Sequence, residues 1–254
     1  MVRFERYVAI GDSTSEGLDD PDGAGGFRGW ANRLAERIAA AQGSLLYANL
    51  AVRGRGAREI KDEQLARAAA MRPDLATVVA GMNDLLRWDF DATRIAADVG
   101  EMQRVLVETG AVVVTFTLPD VSRRMPIRGA LSTRTAALNH ELREVSARTG
   151  AKLLDLAAFE LSADPRLWSV DRLHLNALGH ARTADALAHH LTIAGVGDWW
   201  RHPLPAPASG GLMTRIADDL HWGRHYVAPW LWRRLRGRSA GDNLKAKRPA
   251  LLAM

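Results

Sequence analysis

Tyr7-Val8-Ala9-Ile10-Gly11-Asp12-Ser13-Thr14-Ser15-Glu16 carries an apolar run into a glycine, an acid and three hydroxyl residues. The segment Arg6 to Ile10 reads as a buried strand, and a strand that stops on Gly-Asp-Ser sets Ser13 at a sheet edge. Four further strand-like runs follow at Leu45 to Val52, Ala76 to Ala80, Ala111 to Leu118 and Lys152 to Leu156. Between them, apolar residues recur at helical spacing: Trp30, Leu34 and Ile38, then Ile95, Val99, Met102 and Leu106, then Leu138, Leu142 and Val145. Asn176 to Ile193 adds a last helix. Strands alternating with helices predict an α/β sheet, mainly parallel, with right-handed crossovers and helices on both faces.

Open parallel sheets bind ligands beyond the carboxyl ends of their strands. Ser13 falls there after the first strand, Gly54 after the second, and Asn83, in Gly81-Met-Asn83-Asp84, after the third. Asp171 and His174 lie in the loop before the last helix, which emerges at the same edge. A serine hydroxyl needs a base to become a nucleophile, and a histidine serves near neutral pH. His174 is that base for Ser13, with Asp171 orienting the other ring nitrogen. The oxyanion of an acyl transfer needs preorganised donors: the backbone N–H groups of Ser13 and Gly54 and the side-chain amide of Asn83. A second Asp-x-x-His, Asp218 with His221, follows a Pro-rich break and lies far from the last strand.

The order Gly11-Asp12-Ser13, Asn49 to Gly54, Gly81-x-Asn83-Asp84, and Asp171-x-x-His174 followed by Leu175-Asn176-x-x-Gly179-His180 resembles the sequence blocks of the SGNH, or GDSL, hydrolase superfamily over about residues 4–195. Thr14 stands where the GDSL name has leucine, which bears on the substrate pocket rather than the chemistry. The resemblance implies a three-layer α/β/α sandwich, flavodoxin-like, with a five-stranded parallel sheet in the order 2-1-3-4-5. It also implies hydrolysis of carboxylic esters or thioesters of lipids, short acyl groups or acetylated sugars, without cofactor or metal. The Arg-rich composition and the C-terminal tail look like actinobacterial GDSL esterases and lipases. Two other readings stand beside this one. The hydroxyl-rich turn from Asp12 to Gly17 could cradle a phosphate in a flavodoxin-like phosphate- or flavin-binding module, but that function has no use for Asn83, Asp171 or His174. An inactive SGNH scaffold used for binding is the other.

The chain has 254 residues, 47% of them hydrophobic, and no cysteine, which excludes disulfides and thiolate metal sites. It has no signal-peptide pattern and no apolar run of membrane-spanning length, so a cytoplasmic protein is expected. The net charge of +5 is uneven: residues 201–254 hold ten Lys/Arg against three Asp/Glu, and the preceding 200 hold 24 against 26. Two parts are expected: a catalytic domain, 1–200, and a Pro-rich linker with a basic, tryptophan-containing helical tail, 201–254, ending in disorder from Gly237. Such a tail suits weak contact with an anionic membrane surface; packing back on the catalytic domain instead hides its large apolar side chains. Nucleic acid is not an expected partner, and the oligomeric state is not readable. His221 and His225 lack a third ligand for zinc. Leu85, Leu86, Trp88 and Phe90 are candidates to line an acyl pocket or to finish the core, and Arg123, Arg124 and Arg128 to draw an anionic substrate or to sit in solvent. With no insertion long enough for a lid, an open, shallow site is expected.

Overall fold

The computed structural model describes residues 3–120, 122, 128–205, 219–229, 232 and 239–254. The strands β1 Arg6–Gly11, β2 Leu46–Asn49, β3 Leu75–Val79, β4 Val112–Phe116 and β5 Lys152–Leu154 are parallel, in the order β5-β4-β3-β1-β2. This is the expected arrangement. The alternation of the pleat divides β1 between two cores: Val8 and Ile10 face one side, Tyr7 and Ala9 the other.

Helices α1 Ser13–Glu16 and α5 Met82–Leu85 are single turns directly beyond β1 and β3. On one face, α2 Gly29–Gln42 and α8 Ala177–His190 bury Trp30, Leu34, Ile38 and Leu187 against Tyr7, Tyr47 and Phe116. On the other, α3 Ala57–Ile60, α4 Ala66–Ala70, α6 Ala92–Glu108 and α7 Arg128–Thr149 cover Val8, Ile10, Val78 and Val113 with Ile60, Ala68, Val99, Met102, Leu138 and Leu142. Each fully buried large side chain of this kind contributes roughly 1.5–3 kcal/mol, so the predicted helix faces are the ones that hold the layers together.

A sixth strand, β6 Arg248–Ala253, pairs antiparallel with β2 and extends the sheet. The expectation of disorder from Gly237 to the end is therefore corrected for residues 239–254. Arg248-Pro-Ala-Leu-Leu-Ala253 contains no β-branched or aromatic residue, and its order comes from tertiary bonds instead. Arg248 Nε donates to Tyr47 O at 2.8 Å, and Met254 N donates to Leu45 O at 2.9 Å. Pro249 is accommodated on an edge strand, where one side needs no donor.

Candidate active site

Ser13 is the first residue of α1. Asp12 caps the turn, its Oδ1 accepting from Thr14 N at 2.9 Å, so the chain leaves β1 and turns at once with the hydroxyl at the sheet edge. Gly11 permits that turn: a Cβ there would stand 2.4 Å from Ser15 Oγ and 2.7 Å from Val79 O.

The loop between β5 and α8 is closed by a Trp168–Leu175 bridge and by Ser169 N donating to His174 O at 2.8 Å. Asn176 caps α8 through Gly179 N and holds the loop's base by donating to Arg166 O and Trp168 O. Within this loop Asp171 Oδ1 accepts from Leu173 N and His174 N at 2.9 and 3.0 Å. Its Oδ2 lies 2.5 Å from His174 Nδ1, and His174 Nε2 lies 2.8 Å from Ser13 Oγ. Residues 161 positions apart thus form one chain of hydrogen bonds. Burial opposes charge on Asp171, but the bonds and charge from His174 and the two backbone donors hold its carboxyl below the usual range. Burial also pushes His174 down; the bond to Asp171 and the charges of Asp171, Asp19 and Asp12 outweigh it and raise the imidazole above its ordinary value.

Gly54 follows β2 with φ of 75°, a left-handed conformation that glycine adopts freely. Its neighbours bind the other blocks. Arg53 N donates to Glu16 Oε2 at 2.8 Å, and the Arg53 guanidinium also pairs with Glu16, while Arg55 O accepts from Asn83 Nδ2 at 3.0 Å. Among the described residues no group accepts a hydrogen bond from Ser13 N–H or Gly54 N–H. Asn83 differs: its other amide hydrogen goes to Asp12 Oδ2 at 3.0 Å, so both are engaged. To serve an oxyanion, the amide must share or release its bond to Arg55 O.

The blocks also depend on residues to which the sequence reading gave no role. Asp12, fully buried, joins the Ser13 turn to Asn83; burial pushes its carboxyl up to about 6, against the lowering effect of Thr14 and His174. Its cap-type side chain in Gly-Asp-Ser was the available signal. Asn49 Nδ2 donates to Ser15 O, and Gln64 brackets Gly11, accepting from its N–H and donating to its carbonyl, both at 2.9 Å. His180 accepts from Trp30 N and donates to Leu18 O, and burial lowers its pKa to about 4. Asp19, Asp171 and His174 offer ligand atoms within 4.8 Å of one another. Both imidazole nitrogens are already engaged, one by Asp171 and one by Ser13, which leaves no ring lone pair facing a cation.

Beside Ser13 and His174 opens a cleft of about 790 Å3, its mouth included, with apolar walls from Leu118, Leu156, Phe159, Leu167, Trp168 and Leu175. Of the candidates after Asn83, Leu85 is buried in the core and Leu86 and Phe90 pack against it, which is the core alternative, and Trp88 is 88% exposed. Arg123, Arg124 and the Arg128 side chain lie outside the described residues, as do Asp218, Trp230 and the tail arginines 233–238. His221 is exposed and stacked on His225 with ring centroids 4.3 Å apart, and it takes no part in the bonds that join Ser13, His174 and Asp171.

The description GDSL-like Lipase/Acylhydrolase family matches residues 9–182. The chain belongs to that family. It is an ester hydrolase of the SGNH type. Solved structures share the fold at low identity. Esterase EstA from Pseudoalteromonas sp. is 16% identical with a TM-score of 0.59, covering 74% of this chain and 97% of that one. A lipase/acylhydrolase from Enterococcus faecalis is 21% identical with a TM-score of 0.61, covering 74% and 95%. Axe2, an acetylxylan esterase from Geobacillus stearothermophilus, is 17% identical with a TM-score of 0.60, covering 78% and 96%. A comparison with curated proteins by sequence gave no match. Among the described residues no helix is long and apolar enough to cross a membrane.

Proposed function

We propose that this GDSL-family enzyme hydrolyses carboxylic esters, and by the same chemistry thioesters, through an acyl-enzyme on Ser13. The observation that carries the reading is the unbroken sequence of bonds from Ser13 Oγ through the His174 ring to Asp171. Ser13 Oγ attacks the ester carbonyl carbon while its proton passes to His174 Nε2, and the carbonyl π electrons move onto oxygen. Asp171 stabilises the imidazolium from the Nδ1 side. The free N–H groups of Ser13 and Gly54 meet the oxyanion, joined by Asn83 when it shares its bond to Arg55 O; each such donor is worth about 2.7–4 kcal/mol in the transition state. Collapse expels the alcohol, which takes the proton from His174 Nε2. Water then repeats the cycle on the acyl-enzyme and frees the acid.

The cleft supports an apolar acyl group of several carbons as the favoured substrate, since its walls are mainly apolar and offer few polar partners. Acetyl esters, including acetylated sugars such as the acetylxylan for which the Axe2 esterase is named, fill less of it. A p-nitrophenyl ester series of increasing acyl length tests both points. Ser13→Ala and His174→Ala are expected to lower kcat by about 1,000-fold or more, while His221→Ala leaves it near wild type. Turnover surviving the first two changes in folded protein would reject the assignment. A kcat/KM that is highest for acetate would reject the acyl-length preference.

A further inference from the structure

We propose that the C-terminal segment, through Trp222, Ser239, Gly241 and Lys247, is a positioning element of the catalytic site rather than an appendage beside it. The proposal rests on the reading of Ser13, His174 and Gly54 given above. These residues lie beyond the family-matched stretch 9–182, yet they touch three of the blocks that make the site.

The first contact is with the acid–base loop. Trp222 is 7% exposed, and its Nε1–H donates to Asp171 O at 2.7 Å. The next residue, Arg172, has φ of 64°, a region that side chains with a Cβ seldom occupy. Its guanidinium lies 4.9 Å over the Trp222 ring and 2.6 Å from Asp219 Oδ1. Residues 219–222 therefore grip the tip of the loop from outside, at the backbone of the very residue that orients His174.

The second contact is with the oxyanion loop. Arg53 C=O and Gly54 N–H belong to one planar peptide unit and point in opposite directions, so whatever fixes the carbonyl aims the donor. Gly241 packs so closely on that carbonyl that a Cβ at 241 would stand 1.9 Å from Arg53 O. Ser239 Oγ donates to Gly54 O at 3.2 Å and accepts from Gly241 N at 3.2 Å, pinning the following peptide as well. A Cβ at Gly54 would lie 2.1 Å from Ser239 Oγ, so tail and loop fit each other only as glycine against serine. The third contact is Lys247 Nζ, which donates to Glu16 O at the end of α1 at 2.6 Å and to Phe27 O and Arg28 O.

A tail that merely stabilised the fold would change activity only with the folded fraction. Positioning predicts two different signatures from two ends of the segment. Trp222→Phe keeps an aromatic ring and removes the N–H. In the full-length chain it is expected to lower kcat about tenfold with KM near wild type, a part of the ~100-fold that a 1 Å misplacement can cost. It also moves the acid limb of kcat/KM to lower pH, as the loosened Asp171 supports the imidazolium less. The charged and titratable groups facing His174 are Asp171 in its own loop, Asp12 at the start of α1, Asp19 in the loop after it, and His180 on α8. Gly241→Ala displaces the Arg53–Gly54 peptide and is expected to lower kcat by up to about 100-fold while leaving the acid limb in place. Ser239→Ala, which removes one oxygen, shows the same pattern to a smaller degree and serves if Gly241→Ala does not fold.

The assay is p-nitrophenyl butyrate hydrolysis across pH, normalised by active-site titration, with thermal melting of each variant and Ser13→Ala run in parallel. The split pattern supports the proposal. Wild-type kcat in folded Trp222→Phe and Ser239→Ala, or losses that track the folded fraction with no shift of the limb, overturn it while Ser13→Ala is inactive. Activity in Ser13→Ala overturns the underlying catalytic assignment instead.

Discussion

Asp12 has two bonds to keep and one charge to justify. Its Oδ1 caps the Ser13 turn and its Oδ2 holds Asn83, both as acceptors, yet complete burial pushes its carboxyl up to about 6. His174, raised above its ordinary value by Asp171 against burial, must be neutral to act as the base proposed here. On acidification kcat/KM is therefore expected to fall first as His174 takes a proton, at a midpoint above the ordinary imidazole value of 6.5. Near pH 6 Asp12 follows, its protonated oxygen no longer accepts freely from Asn83, and the limb steepens toward a slope of two. Asp12→Asn should show a single-proton limb and a kcat lowered about tenfold, because an amide cannot accept from Thr14 N and Asn83 together with the same strength. Initial rates with p-nitrophenyl acetate from about pH 5 to 8 decide it; a wild-type limb with a slope of one throughout would contradict a role for the Asp12 proton.

At the scale of elements, the support beneath the proposed nucleophile comes from an irregular turn. The chain from Ala57 to Ala70 runs as α3, a π-helical turn Lys61–Leu65, and α4, and the π turn brings Gln64 against Gly11. Extra-wide turns of this kind often mark functional places in a helix. In Gln64→Leu, Gly11 O keeps Val52 N at 3.2 Å, but Gly11 N–H is left buried and unpaired. A stability loss of about 1–3 kcal/mol is expected, measurable by urea unfolding, with kcat falling beyond the folded fraction because β1 no longer ends in a fixed place. Unchanged urea midpoint and kcat would count against this account. Nothing in Lys61-Asp-Glu-Gln-Leu65 announces the widened turn, because one extra residue per turn leaves composition and apolar spacing almost untouched. The regular elements were readable for the opposite reason: Val8 and Ile10, or Trp30, Leu34 and Ile38, repeat at the period of the structure they form, and strand ends then located Ser13, Gly54, Asn83 and the Asp171–His174 loop. The cleft was not readable, since Leu156, Phe159 and Leu167 lie in or beside short 3-10 turns without a period. Strand β6 was hidden because its partner is some 200 residues away in sequence.

For the molecule as a whole, two buried titrating groups flank the site and pull its acid stability in opposite directions. His180, between α2 and the loop at Leu18, is held neutral with a pKa lowered by burial to about 4, whereas the unfolded chain protonates it near 6.5. From pH 6.5 down to 4 the unfolded state binds more protons at this residue, so stability falls on acidification. Asp12 does the reverse. Its folded value of about 6 lies above the unfolded 3.8, the folded state takes up the proton first, and the cost of a buried charge that is present at neutral pH disappears as the pH falls through 6. Each shift spans about two units, or on the order of 2–3 kcal/mol, within one pH window, so in the wild-type enzyme the two largely cancel. Asp12→Asn removes one side of that balance. Relative to wild type, the variant is expected to be at its best near neutral pH and to lose on the order of 2–3 kcal/mol of that advantage by about pH 4, because the wild type gains that much from proton uptake at Asp12 while the His180 penalty is common to both. Chemical unfolding of both proteins at several pH values measures the difference directly, and the ordinary surface carboxylates, common to both, drop out of it. Stability curves that stay parallel from neutral to acid pH would show that Asp12 does not carry its proton into the folded state near pH 6.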